Sequence, residues 1–139
     1  MATPPHPLDV VPPAEIARLV EEVGVRKAGL GFVQTLTLAI LAGAFIAFGA
    51  MFFTLAVTGS TWGFGPTRLL GGAAFSLGLI LVIIGGAELF TGNSLIVMAW
   101  ADRRISSAQL LRNWGIVYLG NLIGAGGWRC WSICPGFSI

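Results

Sequence analysis

No charged residue lies between Lys27 and Arg68, and Glu88 is the only ionisable side chain between Leu69 and Ala101. A hydrocarbon core about 30 Å thick needs about 20 apolar residues to cross it, so the first gap is long enough for a span, predicted over Leu30–Val57. The second apolar stretch has 33 residues. As one straight helix it would measure about 50 Å, and it is too short for two ordinary spans with a turn. Gly85, Gly86, Glu88, Gly92 and Asn93 cluster in it. Glycine weakens a helix, and a carboxylate at mid-depth costs about 3 kcal/mol on insertion scales. The pattern therefore predicts a broken span: a half-helix near 69–84, a loop near 85–93 and a second half-helix near 94–101. Such a loop is tolerated in a bilayer only where it is buried in protein or lines a cavity. After the hydrophilic turn Ala101-Asp102-Arg103-Arg104 and a connector from Ile105 to Arg112, a third span is predicted from near Trp114.

Residues 1–13 carry five prolines and are predicted to be a disordered leader. Over residues 14–27, Ile16, Leu19, Val20 and Val23 fall at i, i+3, i+4 and i+7, which makes one apolar stripe on a short amphipathic helix. Pro13 suits its first position, and Gly24 is expected to end or bend it. This helix either lies on the membrane surface or packs on the protein's own cytoplasmic side; the alternative is a movable gate. The transmembrane region is predicted over residues 28–125. Within it Gly43 and Ala47 form a small-xxx-small pair for close helix packing, and Gly120, Asn121 and Gly124 form a second such motif. Residues 58–67 read as a loop with turn chemistry and an interfacial Trp62.

Composition narrows the class. The chain has 139 residues, of which 55% are hydrophobic and 10% charged, and a mean hydropathy of +0.85. A soluble domain would carry about 25% charged residues. The expected fold class is an all-α polytopic membrane protein. The net charge of +2 is spread around the apolar segments, with no basic patch for nucleic acid. Arg18, Arg26 and Lys27 precede span one, Arg103, Arg104 and Arg112 follow span two, and only Arg68 lies in the first loop, so the N-terminus is expected in the cytoplasm. Arg103 and Arg104 read as topology signals, not as an anion-binding site. No cleavable signal peptide is expected, because the first 28 residues hold four acids and the apolar segment is too long. Cys130 and Cys134 have no histidine or further cysteine nearby, and His6 reads as solvated, so no metal site is expected. No catalytic constellation and no phosphate-binding loop is legible; neither an enzyme nor a cofactor is expected.

Gly85-Gly86-Ala87-Glu88-Leu89-Phe90-Thr91-Gly92-Asn93 resembles the Ω-loop signature of the formate/nitrite transporter family. Val25–Ala28 resembles that family's approach to span one, Phe75–Leu79 the start of its second span, and Asn113–Ala125 its third. The resemblance covers roughly residues 14–125. It implies the first three-span repeat of an aquaporin-like protomer with a broken second span, in a homopentamer of the inner (plasma) membrane. It further implies transport of a small monovalent anion or its acid: formate, nitrite or, in some members, hydrosulfide. By position, Phe75, Leu79, Leu89 and Phe90 match apolar constrictions of the pore, Thr91 the polar loop residue facing the path, and Glu88 an acidic loop position. In such a pore an apolar constriction disfavours a bare anion but passes a neutral acid, while loop N–H groups and half-helix dipoles draw the anion in. Glu88 has a second reading, as a structural charge capping loop N–H groups. Asn121 reads equally as a hydrogen bond between helices.

The family's partner histidine and lysine from later spans have no counterpart here, since no lysine follows Lys27 and no histidine follows His6. From about residue 126 the character changes. Gly127–Gly136, read through the genetic code with the frame displaced, yields mostly apolar residues. The tail 126–139 is therefore expected to come from a frameshift that displaced the natural continuation; the alternative is a natural short protein. Two functions stay open: a small-anion channel or transporter, incomplete in this chain, or a truncated, non-conducting membrane remnant or small assembly subunit.

Overall fold

The computed structural model describes residues 12–133 of the chain. The predicted leader up to residue 11 and the last six positions, Cys134 and Pro135 among them, lie outside the described residues. Six helices follow in order: α1 (Pro13–Ala28), α2 (Phe32–Val57), α3 (Phe64–Ile84), α4 (Phe90–Asn93), α5 (Ile96–Ala101) and α6 (Ser107–Ile133).

Helix α2 is the centre of the bundle, packed against α3 on one side and α6 on the other. Glycines make both approaches possible. A Cβ on Gly43 would collide with the backbone of Asn121, and one on Gly124 would collide with the backbone of Ile40 and come within 2.9 Å of the Ala44 nitrogen. On the other face, Gly49 and Gly78 oppose each other, and a Cβ on Gly49 would lie 2.9 Å from the Phe75 carbonyl. Gly120 sits against Ala39. Of the packing residues expected from sequence, Ala47 is half-buried, and the second close approach along α2 falls at Gly49 instead.

Helices α2 and α3 are long and apolar enough to cross a membrane. Only 17% of the most apolar stretch of each is buried inside the protein, which is not how the core helix of a soluble domain behaves. Leu69, Ile83 and Ile84 are each more than three-quarters exposed. Faces of that kind suit hydrocarbon, where a helix already satisfies its own backbone polar groups.

Two boundaries and the role of one glycine differ from expectation, each for a local reason. Helix α1 ends at Ala28, next to the expected end at residue 27, and Gly24 does not stop it. Gly24 is buried, and a Cβ there would meet the Ala99 side chain at 3.2 Å, so this glycine admits α5 and does not stop the helix. The segment Ile105–Arg112 is no connector, because α6 begins at Ser107. Ser106 and Gln109 form a reciprocal cap: the Gln109 N–H donates to Ser106 Oγ at 3.2 Å, and the Ser106 N–H donates to Gln109 Oε1 at 2.9 Å. Helix α3 begins before Leu69, at Phe64, behind Gly63. At its far end α6 stays helical through Ile133, across the change in composition near residue 126.

Candidate functional site

Helix α3 stops at Ile84 in a left-handed cap. Gly86 adopts φ 58°, its N–H donates to the Ile83 carbonyl, and the Ala87 N–H donates to the Val82 carbonyl at 3.0 Å. A glycine at this position carries no Cβ penalty. The chain then runs extended through Leu89, makes one helical turn as α4, and resumes as α5. The Glu88 N–H donates to the Leu38 carbonyl of α2 at 3.1 Å, so the opened backbone is satisfied by the neighbouring helix.

Glu88 is 4% exposed. Its carboxylate does not cap loop N–H groups. Lys27 Nζ lies 3.1 Å from each carboxylate oxygen, and Asn93 Nδ2 donates to Oε2 at 2.6 Å. Lys27 also donates to Asn93 Oδ1 at 2.9 Å. Asn93, fully buried, donates to Asn113 Oδ1 at 2.9 Å, and Asn113 Nδ2 donates to the Lys27 carbonyl at 3.2 Å. Trp114 Nε1 donates to the Asn93 carbonyl at 2.9 Å. The last residue but one of α1 is thus tied to the loop, to α4 and to α6 around one carboxylate. A buried charge is tolerated when it is paired and its remaining lone pairs are filled, and here no buried side-chain polar atom among the described residues lacks a partner.

Asn121 forms a second knot. Its Nδ2 donates to the carbonyls of Ala39 at 2.8 Å and Glu88 at 2.9 Å, and its Oδ1 accepts from the Phe90 N–H at 2.9 Å. One amide therefore joins α2, the loop and α6. The sequence holds three asparagines, and all three enter these two knots.

Beside the network lies a cleft of about 380 Å³ lined by Lys27, Leu79, Val82, Ile83, Gly86, Ala87, Glu88, Leu89, Thr91 and Gly92. Four of the six expected path residues, Leu79, Glu88, Leu89 and Thr91, meet there. Phe75 is part of the contact between α2 and α3, over Gly49. Phe90 turns toward α6 and meets Trp114 and Tyr118 edge-on, with ring centroids 6.2 and 5.8 Å away. The Thr91 hydroxyl has no partner among the described residues, whereas its carbonyl accepts from Ser94 Oγ at 2.6 Å. The cleft thus sets an apolar wall opposite a polar edge carrying one ammonium, one carboxylate and one free hydroxyl. In the sequence Lys27 reads as a topology signal and as part of the Val25–Ala28 motif, not as a site residue. A usable hint was present: Glu88 is the sole acid of its segment and needs a cation, and Lys27 is the cation that borders the first span.

The bundle and its interrupted apolar segment define a polytopic α-helical membrane protein. The chain belongs to the formate/nitrite transporter family, whose pattern it matches over residues 14–130. It is 49% identical over 121 residues to the formate channel FocA of Escherichia coli strain K12, covering 86% of this chain and 42% of that protein. It is 45% identical over 117 residues to the uncharacterized transporter YrhG of Bacillus subtilis strain 168, covering 81% of this chain and 43% of that protein. A formate channel FocA of Haemophilus influenzae is 41% identical over 115 residues, covering 81% and 40%. The chain thus spans about two-fifths of the length of the curated relatives it matches.

Proposed function

We propose that this chain supplies half of the conduction path of an inner-membrane channel for small monovalent anions or their conjugate acids, formate and nitrite being the leading candidates. The observation that carries the reading is the helix break: the Lys27–Glu88–Asn93 network fixes the loop so that Thr91 presents a free hydroxyl beside the apolar residues Leu79 and Leu89. An apolar wall rejects a hydrated anion, while a neutral acid passes at lower cost. A hydroxyl can donate to, or accept from, either form. That solute class agrees with the chain's relatives, formate channels among them. Leu79, Glu88, Leu89 and Thr91 are proposed to border the path, with Phe75 and Phe90 at its edges. An N-terminus in the cytoplasm fits the charge distribution, since Arg104 approaches Glu21 and Arg112 donates to the Leu30 carbonyl at the α1 end, whereas the first loop is bordered by Arg68 only. An aquaporin-like repeat and a pentamer are proposed from the family.

A second reading, a non-conducting remnant or membrane assembly subunit, is favoured by a different observation. Ile83 on the cleft wall is 77% exposed and Leu79 is 41% exposed, so the described residues close the cleft on one side only. Flux in proteoliposomes separates the two. Formate or nitrite flux that falls in Thr91→Val supports the channel. Flux insensitive to both Thr91→Val and Glu88→Gln removes these residues from the path, and a folded chain that conducts nothing establishes the second reading.

A further inference from the structure

Arg68, in the first turns of α3, is the one cation in the sequence between Lys27 and Arg103, and neither the charge pair nor the cleft uses it. Its guanidinium lies over two aromatic rings, 5.6 Å from the centroid of Phe53 and 5.3 Å from that of Phe64. The Phe53 ring is itself held fast, since a Cβ on Gly71 would come within 2.8 Å of it. The sequence has no acid between Glu22 and Glu88. Glu88 is committed to Lys27, and the other described acids lie on α1 and after α5, on the order of 39 Å away along α2. Arg68 therefore has no carboxylate among the described residues, although it sits one turn into a helix long enough to cross a membrane. Trp62 and Phe64, 67% and 80% exposed, flank it, and an exposed Trp settles at the level of lipid headgroups. Ser60 Oγ and Thr67 Oγ1 share one hydrogen bond of 2.7 Å, which leaves one hydroxyl proton of the pair free to donate.

We propose that Arg68, in its Phe53–Phe64 cradle, binds the phosphate of an anionic phospholipid in the leaflet at the α2–α3 end. The planar guanidinium offers a two-pronged donor to a phosphate, and the rings order it beforehand, so little side-chain entropy is lost on binding. The site also selects. A zwitterionic lipid brings a cationic group that finds no carboxylate here and is repelled by Arg68, whereas a glycerol headgroup brings none and can accept from the free hydroxyl. The inference needs α2 and α3 to cross a bilayer but is independent of whether the chain conducts.

Hydrogen–deuterium exchange of the full chain in nanodiscs tests it. Residues 60–67 are expected to exchange about fivefold more slowly in phosphatidylglycerol than in phosphatidylcholine, the factor for one cation at an anionic surface. Arg68→Gln should remove that difference, Arg68→Lys should keep part of it, and residues 102–106 at the opposite end should respond to lipid identically in all variants. If Arg68→Gln does not fold, Phe64→Leu carries the test, since its exposed ring can be lost without opening the bundle; it should at least halve the difference. Equal exchange in the two lipids, a difference that survives Arg68→Gln, or one that falls by less than half in Phe64→Leu, overturns the proposal. So does sodium phosphate reproducing the protection in phosphatidylcholine, because the ligand would then be a free anion.

Discussion

Replacing Lys27 by methionine removes the cation from a carboxylate that is 4% exposed while keeping most of the side chain's length. The Glu88 carboxylate then loses both 3.1 Å contacts and keeps only the 2.6 Å bond from Asn93, which itself loses the lysine on Oδ1. Breaking a buried pair from one side costs about 3–5 kcal/mol; the Lys27 side chain is one-quarter exposed, which places this pair near about 3 kcal/mol. Glu88→Gln leaves the lysine partly in water and preserves the amide contacts, so about 1–2 kcal/mol is expected. The double variant has no unpaired charge, and its loss should fall short of the two singles combined by about 2 kcal/mol. Unfolding by denaturant in detergent micelles, followed by circular dichroism, reads all four proteins of the cycle. Additive losses, or a Lys27→Met variant within about 0.5 kcal/mol of the parent, would show that the pair does not hold the loop.

Other perturbations follow from the same geometry. Asn121→Leu leaves the Glu88 carbonyl and the Phe90 N–H without partners, strips the Ala39 carbonyl of its second bond, and should lower stability by about 2–4 kcal/mol, with Thr91→Cys on that background labelling faster with thiol reagents. Gly43→Ala should separate α2 from α6 and destabilise by at least about 1–3 kcal/mol, whereas Gly126→Ala, where the added Cβ meets nothing within 4 Å, should be neutral or gain up to about 1 kcal/mol; comparable melting temperatures for the two would refute the packing account. Arg103 stands at φ 58° in the cap that ends α5, the position glycine fills at the end of α3, so Arg103→Gly should raise the unfolding free energy by about 1 kcal/mol.

Much of this architecture is legible in one dimension. An acid alone in 33 apolar residues, set among glycines, marks the break, because hydrocarbon offers a charge no solvent and glycine offers a helix little support. Hydropathy likewise marks α2 and α3. Boundaries governed by reciprocal side-chain bonds were harder to see: the Ser106–Gln109 cap lies in a polar run that reads as a connector, although the serine-x-x-glutamine spacing was there to be found. Gly24 shows the opposite error, since a glycine inside an amphipathic helix looks like a stop until the neighbour pressed against it is known.

What the residues determined unaided is whatever depends on solvent alone: which stretches belong in hydrocarbon, where a helix must open, and which end carries the basic charge. Partnership is another matter. That Glu88 answers to Lys27, 61 positions earlier, that Asn121 holds three segments with one amide, and that Phe90 turns to α6 while Thr91 keeps a free hydroxyl were decided only when α1, α2 and α6 closed around the loop. Burial makes every polar atom seek a partner, but the position of that partner is a distance in space, which spacing along the chain does not contain.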